Sequence, residues 1–113
     1  MDKRGAKGYW LSTAKIIDKE LFDEYVKKVV PWLKEVNGEV FAKDTEPQCK
    51  ENTQDVNLAV IFEFPSMRAA VEAYESKEYS EISKLRKAAT ENSTFTIMEG
   101  FDEATKLKKA MGI

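Results

Sequence analysis

The segment at residues 56–64, Val-Asn-Leu-Ala-Val-Ile-Phe-Glu-Phe, constrains the fold of this chain more than any other. Its apolar residues are nearly continuous, whereas a strand with one face in water alternates apolar and polar residues. Side chains alternate between the two faces of a strand, so Val60 and Phe62 face one side and Ile61 faces the other. The segment is therefore predicted to be a strand of a sheet that is covered on both faces.

The rest of the chain places helices and strands around this strand in a recognisable order. Strands are predicted at 8–16, 39–44, 56–64 and 94–99, and helices at 19–36, between Ser66 and Ser76, and at about 78–90. The order β-α-β-β-α-β, with the second helix in two pieces, predicts an α+β fold of the ferredoxin-like type. We expect a four-stranded antiparallel sheet with helices on one face, formed by residues 1–101, and a C-terminal helical tail at 102–113.

Composition excludes several classes of protein. The 113 residues are 42% hydrophobic, which suits one domain. No apolar run approaches the roughly 20 residues of a membrane-spanning helix. No secretory signal is visible, and the single Cys49 fits a reducing compartment, so we expect a cytoplasmic protein. A pI near 5.3 argues against a nucleic-acid partner. Since the sequence has no histidine, we expect no metal site and no cofactor.

Several short motifs resemble the DUF1330 family of small uncharacterised bacterial proteins, over about residues 7–101. They are Lys7-Gly8-Tyr9-Trp10, Val60-Ile61-Phe62-Glu63-Phe64-Pro65-Ser66, Tyr74-Glu75-Ser76-Lys77-Glu78-Tyr79 and Glu99-Gly100. The resemblance implies a dimeric α/β barrel, in which two ferredoxin-like sheets form one barrel. Other proteins of that architecture include cofactor-free monooxygenases, lactone isomerases and haem-dependent chlorite dismutases, but the family itself implies no reaction.

The predicted sheet has a second apolar face that its own helices would leave uncovered. Tyr9 and Leu11 lie on that face of the first strand, and Ala59 and Ile61 lie on that face of the 56–64 strand. Exposed apolar patches of several hundred Å² usually mark interfaces. We therefore expect a homodimer that packs sheet against sheet; the alternative is that the tail helix folds back over this face.

Glu63 and Arg86 are the candidate catalytic residues. Glu63 lies between two phenylalanines at the end of a buried strand, where desolvation would favour a role as general acid or base. Arg86 shares a helix face with apolar residues and could hold a substrate carboxylate. The alternatives are structural: Glu63 could pair with a lysine or arginine or accept backbone N–H bonds at the start of the next helix, and Arg86 could bond a neighbouring carboxylate such as Glu63 or Glu99.

The remaining candidates would bind a ligand rather than react with it. Tyrosine rings bury area while their hydroxyls can orient a ligand, and a lysine on the second strand could bind an anion. The candidate ligand-binding residues are Tyr9, Tyr25, Lys43, Tyr74 and Glu99. The sequence thus predicts a dimeric small-molecule-binding domain with a pocket between sheet and helices. Its expected partners are a second copy of the chain and a small organic ligand. The alternatives are a cofactor-free isomerase or monooxygenase, by fold analogy, and a non-catalytic interaction module.

Overall fold

The computed structural model describes residues 6–51, 54–101 and 112. Its elements are β1 (Gly8–Ile16), α1 (Lys19–Glu35), β2 (Glu39–Asp44), β3 (Leu58–Phe64), α2 (Met67–Glu75), α3 (Lys77–Ala89) and β4 (Thr90–Glu99). The strands form one sheet in the order β2-β3-β1-β4, and every neighbouring pair is antiparallel. This confirms the predicted ferredoxin-like α+β fold. The predicted tail helix falls, except for Gly112, on residues outside those described.

Two strand boundaries differ from the sequence prediction. β3 begins at Leu58 rather than 56, because the Asn57 side chain bonds the neighbouring strand: its Oδ1 accepts from Ile16 N at 2.8 Å. β4 begins at Thr90 rather than 94. Its polar first residues resemble a turn in sequence, but they pair with the end of β1 beyond a bulge, and Asn92 takes a positive φ of 54° there.

Two serines of the family motifs begin the helices that follow β3. Ser66 Oγ accepts from Ala69 N at 3.0 Å and caps α2, while Ser76 Oγ accepts from Tyr79 N at 3.1 Å and caps α3. The Ser76 hydroxyl also donates to Ala73 O at 2.8 Å, at the end of α2. The predicted break at Ser76 is therefore confirmed, and this one side chain joins the two helices.

Trp10 is the centre of the core between the sheet and the helices. Its side chain is fully buried, and its Nε1 donates to Ala70 O at 2.9 Å. Aromatic rings from every layer surround it, namely those of Trp32, Phe62, Phe64, Tyr74, Tyr79 and Phe95. The start of β1 also lies very close to the start of α2, since a Cβ on Gly8 would overlap the backbone of Ser66.

The opposite face of the sheet carries no helix of the described chain. Phe41 and Met98 are 59% and 45% exposed there, beside Tyr9, Leu11 and Ile61. None of the helices in the described ranges is long and apolar enough to span a membrane.

Candidate functional site

A small cavity lies between the sheet and the helices, as predicted for a pocket of this protein. It offers about 50 Å³, enough for roughly three to five water molecules. The wall is mostly apolar, and the polar residues that line it are Ser12, Tyr25, Lys43, Arg86 and Thr90. The enclosed space is therefore the size of a ligand head group.

Arg86 is a buried cation in the wall of this cavity. Its side chain belongs to the last turn of α3, and the residue is only 7% exposed. Its Nε donates to Tyr79 Oη at 3.2 Å, its Nη1 donates to Ser93 Oγ at 3.3 Å, and its Cζ lies 4.8 Å from the centre of the Phe95 ring. Within the described chain no carboxylate lies within ion-pair distance of it, so the expected alternative of a bond to Glu63 or Glu99 is not found.

Two tyrosines extend this polar cluster. The hydroxyl oxygens of Tyr25 and Tyr79 are 2.8 Å apart, and both residues are buried. Burial is the largest cause that raises the pKa of Tyr25 and of Tyr79 above the usual value; the nearby Arg86 opposes that shift in both. Both hydroxyls therefore stay protonated at neutral pH, and Tyr25 also lines the cavity.

The cavity opens between α1 and β2. Val30 of α1 and Val40 of β2 line it and are both partly exposed, and Lys43 lies beside them with its Nζ 5.9 Å from the centre of the Phe22 ring. Since α1 makes only a slight contact with β2, the helix layer does not close this side. An anion that entered here would pass an exposed lysine before it reached the buried arginine.

Glu63 and Tyr9 lie on the opposite face of the sheet and do not line this cavity. Tyr9 Oη donates to Glu63 Oε2 at 2.9 Å, and Lys7 Nζ is 3.4 Å from Glu63 Oε1. Burial, and then the bond to Glu63, raises the pKa of Tyr9. Glu63 therefore lies apart from Arg86, because residues of a strand alternate in direction and a glutamate between two inward phenylalanines points away from them.

The other two candidates are also outside the cavity wall. Tyr74 packs in the aromatic core against Trp10 and Phe95, and Glu99 is at the end of β4 opposite Gly8. Of the residues singled out from the sequence, the structure brings together Tyr25, Lys43 and Arg86. Sequence reasoning missed Ser93 and Phe95, which hold the guanidinium, because their position depends on how β4 pairs with β1.

A family model for a domain of unknown function, DUF1330, matches residues 7–101. The chain belongs to the DUF1330 family. A comparison with curated proteins finds no match.

Solved structures resemble this DUF1330 chain in fold. A protein of unknown function from Rhodopseudomonas palustris has a TM-score of 0.71 at 20% identity, and the match covers 88% of this chain and 85% of that one. A putative antibiotic biosynthesis monooxygenase from Nitrosomonas europaea has a TM-score of 0.56 at 13% identity, with 88% and 95% covered. A dimeric ferredoxin-like protein of unknown function from Bacteroides fragilis has a TM-score of 0.53 at 13% identity, with 82% and 95% covered. At these identities the likeness establishes the fold alone.

Proposed function

We propose that this DUF1330 protein is a homodimer in which each chain binds a small organic anion, with a carboxylate as its head group. The observation that carries the proposal is Arg86. A buried charge is costly unless it is paired, and this guanidinium has no carboxylate partner among the described residues. A ligand carboxylate at the cavity would supply the missing negative charge.

The dimensions of the cavity and its wall suggest the form of the ligand. The enclosed space accommodates a head group and one or two carbons, and the rest of the molecule would lie in the mouth against Val30 and Val40. Lys43 at the mouth adds a second positive charge that attracts anions. The proposed ligand is therefore a small carboxylate with an apolar body, and Tyr9, Tyr74, Glu63 and Glu99 are not part of this proposal.

A charge-matched pair of ligands and a charge-matched pair of variants test this proposal. We expect butyrate to raise the thermal midpoint and to shift amide NMR signals around the cavity, whereas neutral butyramide does neither. Arg86→Met should weaken butyrate binding at least about tenfold, because a hydrogen bond to a charged group contributes roughly 1.5–3 kcal/mol. Lys84→Met removes one positive charge from an exposed site and should bind butyrate as the wild type does.

Equal binding of butyrate and butyramide would show that the apolar wall, not the guanidinium, holds the ligand. Failure of a series from acetate to hexanoate to bind would remove the proposal altogether.

The homodimer rests on the open face of the sheet. Phe41 and Met98 are large, apolar and exposed there, and a stable interface buries about 800 Å² on each partner. The Bacteroides fragilis protein of similar fold is described as dimeric. We expect light scattering to give a dimer, and Ile61→Lys on this face to give a monomer. Ile17→Lys, at an exposed isoleucine beyond the end of β1, should leave the dimer intact. A monomeric wild type would contradict the proposal.

A cofactor-free enzyme, an isomerase or a monooxygenase, is the second candidate. The observation that favours this candidate is the fold that the chain shares with the putative monooxygenase from Nitrosomonas europaea. The contacts of the Glu63 side chain with Tyr9 and Lys7, on the other face of the sheet, argue against Glu63 as the acid or base of such an enzyme. Turnover of a small acid that is lost in Arg86→Met would support this candidate.

A cytoplasmic location, also proposed, fits the lone Cys49.

A further inference from the structure

The hydrogen bonds around Tyr79 favour one direction in which the neighbouring hydroxyls donate. A guanidinium can only donate, so the Tyr79 oxygen accepts from Arg86 Nε. Tyr79 is 1% exposed. Among the described residues, the Tyr25 Oη, at 2.8 Å, is the one acceptor available to the hydroxyl proton of Tyr79. If Tyr25 donated instead, the Tyr79 proton would be buried without an acceptor, at a cost of about 1–3 kcal/mol. The distance allows either hydroxyl to donate, and the arrangement with Tyr79 as the donor is the one in which every Tyr79 hydrogen bond is made.

This arrangement leaves the Tyr25 proton available to an acceptor in the cavity. The Tyr25 oxygen then accepts from Tyr79 and also interacts with Arg86, which can only donate, so the structure shows no described residue that accepts the Tyr25 proton. Tyr25 is one of the residues that line the cavity, so an oxygen of a ligand there is the available acceptor for this proton. The Ser12 and Thr90 hydroxyls differ, because they donate to the backbone oxygens of Thr94 and Arg86 at 2.8 Å each.

The hydrogen-bond donors available to a ligand in the cavity are therefore cationic or strongly polar. They are the buried guanidinium of Arg86, the Tyr25 hydroxyl and, at the mouth, the Lys43 ammonium. None of the described side chains that line the cavity is a carboxylate. Preorganised donors in a site that excludes water stabilise a negative oxygen far more than a neutral one.

We propose that this cavity binds phenols and enols of low molecular weight as their anions, with the oxygen held by Arg86 and Tyr25. This inference rests on the proposed function, since it uses the same cavity and the same arginine. The O–H bond of the ligand breaks with its electron pair left on the oxygen, and the proton passes to solvent water at the open mouth. The ring of such a ligand would extend from the enclosed space into the mouth, where Phe22, Val30 and Val40 offer apolar contacts.

The probe for this inference is 4-nitrophenol, whose anion absorbs visible light and whose neutral form does not. With the wild-type protein in excess, a pH titration of the absorbance should give a lower pKa for the bound phenol than for the same phenol in buffer. A positive charge within hydrogen-bonding distance shifts such a pKa by about 1–3 units. The shift should disappear in Arg86→Met.

Tyr25→Phe, which removes one oxygen and little volume, tests the second donor. We expect it to weaken binding of the phenolate about tenfold. Tyr9→Phe, which removes a bonded hydroxyl from the opposite face of the sheet, should leave both the affinity and the pKa of the bound phenol unchanged. Circular dichroism checks whether each variant is folded. If Arg86→Met does not fold, the pKa of the phenol bound to the wild type and the affinity of Tyr25→Phe still test the inference.

Three results would overturn the inference. The first is a bound phenol whose pKa is unchanged or raised, which would mean that the apolar wall holds the neutral form. The second is a Tyr25→Phe variant that binds the phenolate as the wild type does. The third is a protein that binds butyrate but not 4-nitrophenol, which would leave the proposed function standing. Failure to bind either compound would refute the proposed function itself.

Discussion

Replacement of Arg86 by methionine separates a binding residue from a structural one. Methionine keeps a long side chain but removes the charge, two hydrogen bonds and the contact with the Phe95 ring. The two bonds are long, at 3.2 and 3.3 Å, so their loss costs about 3 kcal/mol in all. The ring contact adds about 0.5–1 kcal/mol. Removal of a buried charge returns several kcal/mol of desolvation free energy.

These contributions nearly cancel. We expect the free energy of unfolding of Arg86→Met, without ligand, to lie within about 1 kcal/mol of the wild type. Removal of one partner from a buried ion pair would instead cost about 3–5 kcal/mol. Tyr79→Phe is the comparison, because it leaves Arg86 Nε and the Tyr25 oxygen without their partner and should cost about 1–3 kcal/mol. Arg86→Met should therefore destabilise the protein less than Tyr79→Phe, although it replaces a larger and charged group.

Urea unfolding followed by circular dichroism measures both values at one protein concentration, since the stability of a dimer depends on concentration. With a slope of about 2 kcal/mol/M, Arg86→Met should move the midpoint by less than about 0.5 M. A loss of 3 kcal/mol or more would refute the reasoning, because the guanidinium would then be a structural part of the core rather than a charge that awaits a ligand.

Two further predictions concern the helices and the tyrosines. Ser76→Ala should lower the free energy of unfolding by about 1–2 kcal/mol, and by more than Ser66→Ala, because it removes a bond to Ala73 O as well as a helix cap. Calorimetry measures both losses, and equal losses would contradict the double role of Ser76. Burial raises the pKa of Tyr25, so the unfolded chain ionises first as the pH rises above about 10. The contribution of Tyr25 to stability should be constant below that pH and fall above it, so the stability of Tyr25→Phe should fall less steeply than that of the wild type in urea titrations at pH 9–11.

Much of the fold could be predicted from local patterns. The apolar run before Phe64 predicts a strand, and the serine at 76 predicts a break between two helices; both features follow from residues close in sequence. The early start of β4 could not be predicted in this way. Residues 90–93 are polar and typical of a turn, and they form a strand only because β1 offers a partner beyond its bulge.

The candidate site was predictable only in part, and for a related reason. Tyr25 and Arg86 belong to the inward faces of helices, where the apolar residues around them indicate burial. Glu63 could have been placed correctly by the alternation of its strand, which directs it away from Phe62 and Phe64. The contacts of Arg86 with Ser93 Oγ and the Phe95 ring depend on distant pairing and have no local signal.

The ring contacts around Trp10 make the cavity observable without a label. The sequence has two tryptophans. Trp10 contacts the Phe95 ring, over which Arg86 lies, and Trp32 stacks on Tyr79, whose hydroxyl accepts from the same arginine. Both indoles are thus one ring away from the guanidinium. We expect an anion that neutralises this charge to change the electric field at both indoles, and with it the intrinsic emission of the protein.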